Sequence, residues 1–146
     1  MNPKVPAVVI VSHGYFCSEA LNTVQMIYGP TENLVAVPLE VGQSPESYEQ
    51  KLEQIVDSFE GNVLLLSDLT GGTPFKTVMQ LGKKWPVAAV AGVNIPMIIE
   101  AIDLRNEQNN LDELAAAITQ SAKDSITDVT SRIRAYYEKY HVSHQE

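Results

Sequence analysis

His13 and Asp68 are the two side chains of this sequence best placed for chemistry. His13 closes the apolar run Ala7-Val8-Val9-Ile10-Val11-Ser12 and is followed at once by Gly14. Asp68 follows a second run, Val63-Leu64-Leu65-Leu66-Ser67, and leads into Leu69-Thr70-Gly71-Gly72-Thr73-Pro74-Phe75. Short apolar runs bounded by turn residues read as buried strands. Each residue therefore stands at a strand's carboxyl end, where open α/β sheets bind ligands. A neutral imidazole has one N–H and one free lone pair. A carboxylate that accepts the N–H fixes the tautomer and the ring orientation. It also stabilises the positive charge that builds on the ring when the other nitrogen attacks an electrophile. The amides of Thr70, Gly71, Gly72 and Thr73, at the start of a helix, form an anion cradle. Pro74 offers no N–H, but the Thr73 hydroxyl adds a donor. An imidazole, an orienting carboxylate and an oxyanion cradle are what a phosphohistidine needs.

The elements that must hold these groups follow from periodicity and punctuation. The strands expected are about 5–12, 34–39, 63–67 and 87–91. A helix is expected from about Ser18 to Tyr28, with Leu21, Val24 and Ile27 or Tyr28 on its buried face and Gly29-Pro30 ending it. Ser44-Pro45-Glu46 is an N-cap, a proline at the first helical position and an acid in the first turn. That helix runs to about Phe59 and buries Tyr48, Leu52, Ile55, Val56 and Phe59. Thr73-Pro74 repeats the cap-plus-proline start, with Thr73 as N-cap. Asn94-Ile95-Pro96 opens another helix, to about Leu104. Asn110-Leu111-Asp112-Glu113 has capping-box spacing and opens a helix to about Ile126. The β-compatible residues of the segment 127–133, Val129, Thr130 and Ile133, suggest a short edge strand before a polar tail.

Strand and helix alternating four times imply an α/β fold, a three-layer sandwich around a mainly parallel sheet. With right-handed crossovers the simplest strand order is 2-1-3-4. Strands 1 and 3 are then central neighbours, and the crevice between their carboxyl ends is the topological switch point. His13 and Asp68 meet there by fold logic alone.

A chain of 146 residues, 45% hydrophobic, suits one domain with one core. Ten basic residues against 18 acidic ones give a net charge of -8, which argues against nucleic acid or an anionic membrane as partner. One cysteine, Cys17, allows no intramolecular disulfide and fits a reducing cytoplasm. No signal peptide or span-length apolar segment is expected. Several residues admit a plainer reading. Gly71 and Gly72 also serve backbone geometry, and Asn94 serves equally as a turn residue before Pro96 or as a crevice residue. Tyr15 and Phe16 after Gly14 either dock a partner or shield the ring. Met26, Met79 and Met97 belong to the core or to a contact rim. His141 and His144 lie in the polar tail.

Three blocks carry a family resemblance: Val9-Ile10-Val11-Ser12-His13-Gly14, Asp68-Leu69-Thr70-Gly71-Gly72-Thr73-Pro74-Phe75 and Ala91-Gly92-Val93-Asn94-Ile95-Pro96-Met97. In this order, over roughly residues 5–130, the chain resembles the mannose-family EIIA component of the bacterial sugar phosphotransferase system. The resemblance implies that His13 is the phosphorylated nucleophile, that Asp68 orients it, and that Thr70, Gly71, Gly72 and Thr73 bind phosphate, with Gly14, Tyr15, Phe16 and Asn94 as crevice or partner contacts. It implies a phosphoryl donor, HPr, charged from phosphoenolpyruvate through enzyme I. It implies a IIB acceptor, expected on a separate chain because the Pro/Ala-rich linker of fused members is not seen, an indirect link to the membrane IIC and IID proteins, and no metal or other cofactor. It further implies a cytoplasmic homodimer whose last strand, here the edge strand suggested near 127–133, is exchanged between subunits. The domain would span 1–133, with 134–146 a tail. Leu69-Thr70 departs from members with tryptophan in that stretch, and Thr73 replaces a frequent serine.

Rival readings have less behind them. A serine hydrolase needs a G-x-S-x-G elbow, which is absent, and Ser12 points away from His13. A nucleotide-binding loop needs G-x-x-x-x-G-K-[ST], which Gly71 to Lys76 does not match. A flavodoxin-like binding module and the phosphocarrier subunit of dihydroxyacetone kinase remain as alternatives.

Overall fold

Val8, Val9, Ile10 and Val11 are β-branched and pack well on a pleated surface. They form the first strand, β1 (Ala7–His13), and residues 7 to 11 are wholly buried. The computed structural model describes residues 5–107 and 110–144, with side chains described to residue 139. The expectation for His141 and His144 falls outside the described side chains. After β1 come α1 (Phe16–Tyr28), β2 (Leu34–Leu39), α2 (Pro45–Ser58), β3 (Val63–Ser67), α3 (Gly72–Leu81), β4 (Ala88–Ala91), α4 (Ile95–Leu104), α5 (Leu111–Ser125) and α6 (Thr130–His144).

The strands form one parallel sheet in the order β2-β1-β3-β4, as expected. Alternation along β1 splits the core into two layers. Val8 and Ile10 pack with Cys17, Val24, Ile98 and Ile118 from α1, α4 and α5. Ala7, Val9 and Val11 pack with Tyr48, Leu52, Val56 and Val78 from α2 and α3. Each fully buried aliphatic side chain contributes roughly 1.5–3 kcal/mol, far more than helix propensity, so packing sets where the helices lie. The caps follow the sequence. Ser44 Oγ accepts from the Ser47 amide at 3.1 Å, Asn94 Oδ1 from Met97 at 2.9 Å, and Asn110 Oδ1 from Asp112 and Glu113 at 2.8 and 3.2 Å.

The structure differs from expectation in three places. Helix α1 starts at Phe16 and buries Cys17, Ala20 and Val24, while Ile27 and Tyr28 face outward. Small Cys17 and Ala20 let the helix sit close against the sheet. Helix α3 begins at Gly72, with Gly71 and not Thr73 at its N-cap. The expected edge strand at 127–133, and with it an exchanged strand, is absent: from Thr130 the chain is helical. Isolated β-branched residues there lie among the helix formers Arg132, Arg134, Ala135, Glu138 and Lys139. Asp128 Oδ1 accepts the Thr130 amide at 2.9 Å, and the Ile133 amide donates to the Val129 carbonyl at 3.0 Å.

Arg105, at the end of α4, is 7% exposed. Its guanidinium donates to the carbonyls of Pro6 (3.3 Å), Asn33 (2.9 Å) and Glu32 (2.6 Å). It thus ties the amino-terminal ends of β1 and β2 to α4. Burial pushes its pKa down, and the Tyr28 and Glu32 charges oppose that shift. Removing the fork takes a donor from the Pro6 and Glu32 carbonyls, while Asn33 keeps the Val8 amide at 2.9 Å, so Arg105→Met is expected to cost about 2–4 kcal/mol. Arg105→Lys, a point charge in place of a planar fork, should recover less than half of that. Urea denaturation checks both, and a loss below about 0.5 kcal/mol for the Met variant would contradict the clamp.

Candidate functional site

The site is built on the two central strands. Parallel register sets Val11 beside Ser67, and the Asp68 amide donates to the Val11 carbonyl at 3.1 Å, which extends the ladder by one step. Asp68 Oδ2 then lies 2.9 Å from the His13 amide and 2.9 Å from the ring Nδ1. The Leu69 amide donates to Oδ1, also at 2.9 Å. Burial pushes the Asp68 carboxyl up, but the His13 amide and ring and the Leu69 amide outweigh it and hold the pKa below the ordinary 3.8. The histidine side chain is 46% exposed and the aspartate 14%. A ring that accessible is reachable by a partner, while its orienting group is sheltered.

With Asp68 on Nδ1 at 2.9 Å, the lone pair of the neutral ring is on Nε2. Nε2 lies over Gly72, the first residue of α3: a Cβ built there would fall 2.3 Å from it. No real side chain fits that gap. Gly71 at φ +130° and Gly72 at φ +76° also adopt backbone that L residues avoid. The two glycines bring the chain into α3 earlier than a Thr73 cap would. No side chain caps α3, so the positive end of its dipole is left uncapped at the residue that Nε2 overlies. Thr73 is inside the first turn, and its carbonyl accepts from Thr77 Oγ1 at 2.8 Å.

The remaining expected residues divide. Gly14 adopts φ +58°, and its amide donates to the Leu39 carbonyl at 2.8 Å. Tyr15 is 61% exposed and its hydroxyl donates to Glu40 Oε1 at 3.2 Å. Phe16 and Leu69 are about half exposed around the ring's strand end, and Thr70 is exposed in the turn. Asn94 is committed elsewhere: its side chain caps α4 and donates to Ser125 Oγ at 3.3 Å, so neither bond reaches the His13–Asp68 pair. Phe16, Val93, Asn94 and Ile95 instead line an open apolar groove of about 410 Å³ between α1 and the start of α4. Met97 is buried, whereas Met26 and Met79 are exposed. Sequence reasoning missed Ser12, whose buried hydroxyl braces the turn after His13. Strand alternation signalled only that it points away from the imidazole. Among the described residues no group of three or more His, Cys, Asp or Glu could hold a metal ion, and no helix is long and apolar enough to cross a membrane.

Because the folded-state pKa of Asp68 is depressed, its contribution to stability is present above the ordinary value and is lost as pH falls through 3.8 and below. Wild type should therefore be more stable than Asp68→Asn near neutral pH, with the gap closing in acid. Urea titrations from about pH 6 down to about pH 3 test this, and a gap independent of pH contradicts the coupling.

Comparison with known proteins places the chain. The EIIA-man family model, described as the PTS system fructose IIA component, matches residues 7–119. The fructose-specific EIIA component of Bacillus subtilis is 31% identical over 121 residues, 79% of this chain and 83% of that protein. The mannose-specific EIIAB component of Escherichia coli is 31% identical over 125 residues, 82% of this chain, and the chain spans 38% of that relative's length. Among solved structures, the EIIA component from Streptococcus agalactiae superposes with a TM-score of 0.81 at 28% identity, covering 86% of this chain and 98% of that one. The mannose/sorbose-specific IIA subunit from Enterococcus faecalis superposes with a TM-score of 0.73 at 35% identity, covering 85% and 94%. The chain belongs to the mannose-type EIIA family of the sugar phosphotransferase system.

Proposed function

We propose that this protein is a phosphocarrier that takes a phosphoryl group onto His13 Nε2 and hands it on. One observation carries the reading: Asp68 holds Nδ1 at 2.9 Å while Nε2 stands over the uncapped start of α3. The Nε2 lone pair attacks the phosphorus of a donor phosphohistidine. The new N–P bond forms as the donor's N–P bond breaks, and that electron pair returns to the donor imidazole. The Nδ1 proton stays against Asp68, which offsets the charge on the ring, and the turn amides of Gly71 to Thr73 receive the phosphoryl oxygens. Exchange between two imidazoles is nearly balanced, so positioning supplies most of the catalysis.

Family membership supports HPr as the donor and a IIB component as the acceptor. The Escherichia coli relative is named as a joined EIIAB component, and the present chain corresponds to 38% of it. A homodimer and an indirect link to the membrane IIC and IID proteins complete the proposed assembly. The names of the relatives, mannose- and fructose-specific, point to a hexose as the eventual acceptor.

Incubation with enzyme I, HPr and phosphoenolpyruvate should add one acid-labile phosphoryl group by intact mass. His13→Ala should abolish it, and Asp68→Ala should slow it by roughly 10- to 100-fold. An unmodified wild-type chain, or an adduct that persists in His13→Ala, overturns the reading.

Gly72→Ala separates the nucleophile's seat from general stability. The new Cβ would collide with Nε2, and the backbone cost is about 1–3 kcal/mol. The variant should remain folded by circular dichroism yet take up phosphoryl at least about 100-fold more slowly. Wild-type uptake would show that the ring does not react from this seat.

A further inference from the structure

We infer that Ser12 is a positioning residue for His13, acting through the backbone of the turn that carries it. The inference rests on the phosphocarrier reading above and adds a residue to it. Ser12 is fully buried in β1, in register with Pro38 of β2. Its hydroxyl donates to the Gly14 carbonyl at 3.0 Å and accepts from the Cys17 amide at 2.9 Å. It therefore spans the residue it precedes, gripping the chain once just after His13 and again in the first turn of α1. The N-cap residue of α1, Tyr15, makes no side-chain cap bond. Ser12 supplies the oxygen that this helix start would otherwise lack.

The ring of His13 needs such a device. It is nearly half exposed, so packing does little to hold it. Both of its bonds to Asp68 end on one oxygen, and together they demand one backbone and one side-chain geometry at residue 13. That backbone is fixed on three sides: by Asp68 at the His13 amide, by the Leu39 carbonyl at the Gly14 amide, and by Ser12 at the Gly14 carbonyl. Of these, Ser12 alone also fixes where the chain goes next. The aspartate has a counterpart. Ser67 immediately precedes Asp68, is 3% exposed, and donates to the Leu69 carbonyl at 3.3 Å. Among the described residues Ser12 and Ser67 are the two buried serines, and each stands one residue before a member of the pair. One hydroxyl, acting as donor and acceptor at once, meets both demands.

Alanine removes both bonds, cysteine keeps the volume with weak bonding, and threonine keeps the hydroxyl. The test compares Ser12→Ala, Ser12→Cys and Ser12→Thr with wild type by single-turnover phosphorylation from phosphorylated HPr, and by nitrogen-15 NMR of the His13 ring without any donor. The expected result for the Ala variant is a limiting rate at least about tenfold lower, with the HPr dependence unchanged, because a misplaced nucleophile slows the step and not the encounter. The ring spectrum should show a smaller share of the Nδ1–H tautomer. Threonine should restore both readouts, and cysteine should fall between, with a limiting rate more than about threefold below wild type. If Ser12→Ala does not fold, the Cys and Thr variants carry the comparison. A limiting rate within about threefold of wild type in Ala or Cys, an unchanged tautomer share, or a loss that appears in the HPr dependence alone overturns the inference. A wild-type chain that takes no phosphoryl overturns the phosphocarrier reading instead, while the tautomer readout still judges Ser12.

Discussion

One carboxylate oxygen, Asp68 Oδ2, accepts two hydrogens from one residue, the amide and the ring N–H of His13, each at 2.9 Å. The rest of the site is arranged so that this can happen. The two residues must end adjacent parallel strands, which the order β2-β1-β3-β4 provides at its centre. The ladder must be in a register that brings residue 68 alongside residue 12, which the pairing of Val11 with Ser67 achieves. The loop after β3 must turn at once into α3 without a side chain between the helix and the ring, which Gly71 and Gly72 permit. The pair itself is worth little in stability, because a partly exposed side-chain hydrogen bond contributes only about 0.5–1.5 kcal/mol net. Its value is geometric, and the folding free energy comes from the layers beneath it.

Those layers explain why the two ends of the sheet differ. At the amino-terminal end Arg105 spends its buried guanidinium on three carbonyls of the chain itself. Every donor it commits there is turned inward, and the end is closed. At the carboxyl end the side chains instead leave donors open to a visitor: α3 has no side-chain cap, and the histidine ring is half exposed. A pole closed by internal bonds thus stands opposite a pole whose helix start is uncapped.

Much of this was legible in the chain of residues. Apolar runs located four strands, and cap residues such as Ser44, Asn94 and Asn110 located helix starts, because both signals are local. The meeting of His13 with Asp68 followed from chain topology and the hand of crossovers. What escaped was non-local or conformational. Thr73-Pro74 looks like a cap and first turn, but two glycines free to take positive φ move the start of α3 ahead of it. Arg105 gives no sign in sequence that its acceptors lie some seventy residues or more away. Val129 and Ile133 favour a strand by type, yet their neighbours favour a helix, and the neighbours prevail. Alternation turned Ser12 away from the imidazole but could not show that the backbone following His13 comes back to meet its hydroxyl.

The division of donors around the turn resolves an electrostatic conflict in the proposed transfer. A phosphoryl group brings negative charge toward a site that already holds a carboxylate, and like charges nearby disfavour each other. The carboxylate is placed against the far side of the ring from Nε2, and its oxygens are covered by the amides of His13 and Leu69 and by the ring N–H. Its charge is thereby spent on local donors, as its depressed pKa reflects. The next amides along the chain, those entering α3, carry no side-chain cap, and Gly72 there lies against Nε2. In the proposed transfer a single turn, 68 to 73, would supply the group that orients the nucleophile and the separate donors for what the nucleophile accepts. Aspartate must precede the two glycines by a few residues for both to face the same imidazole from different sides.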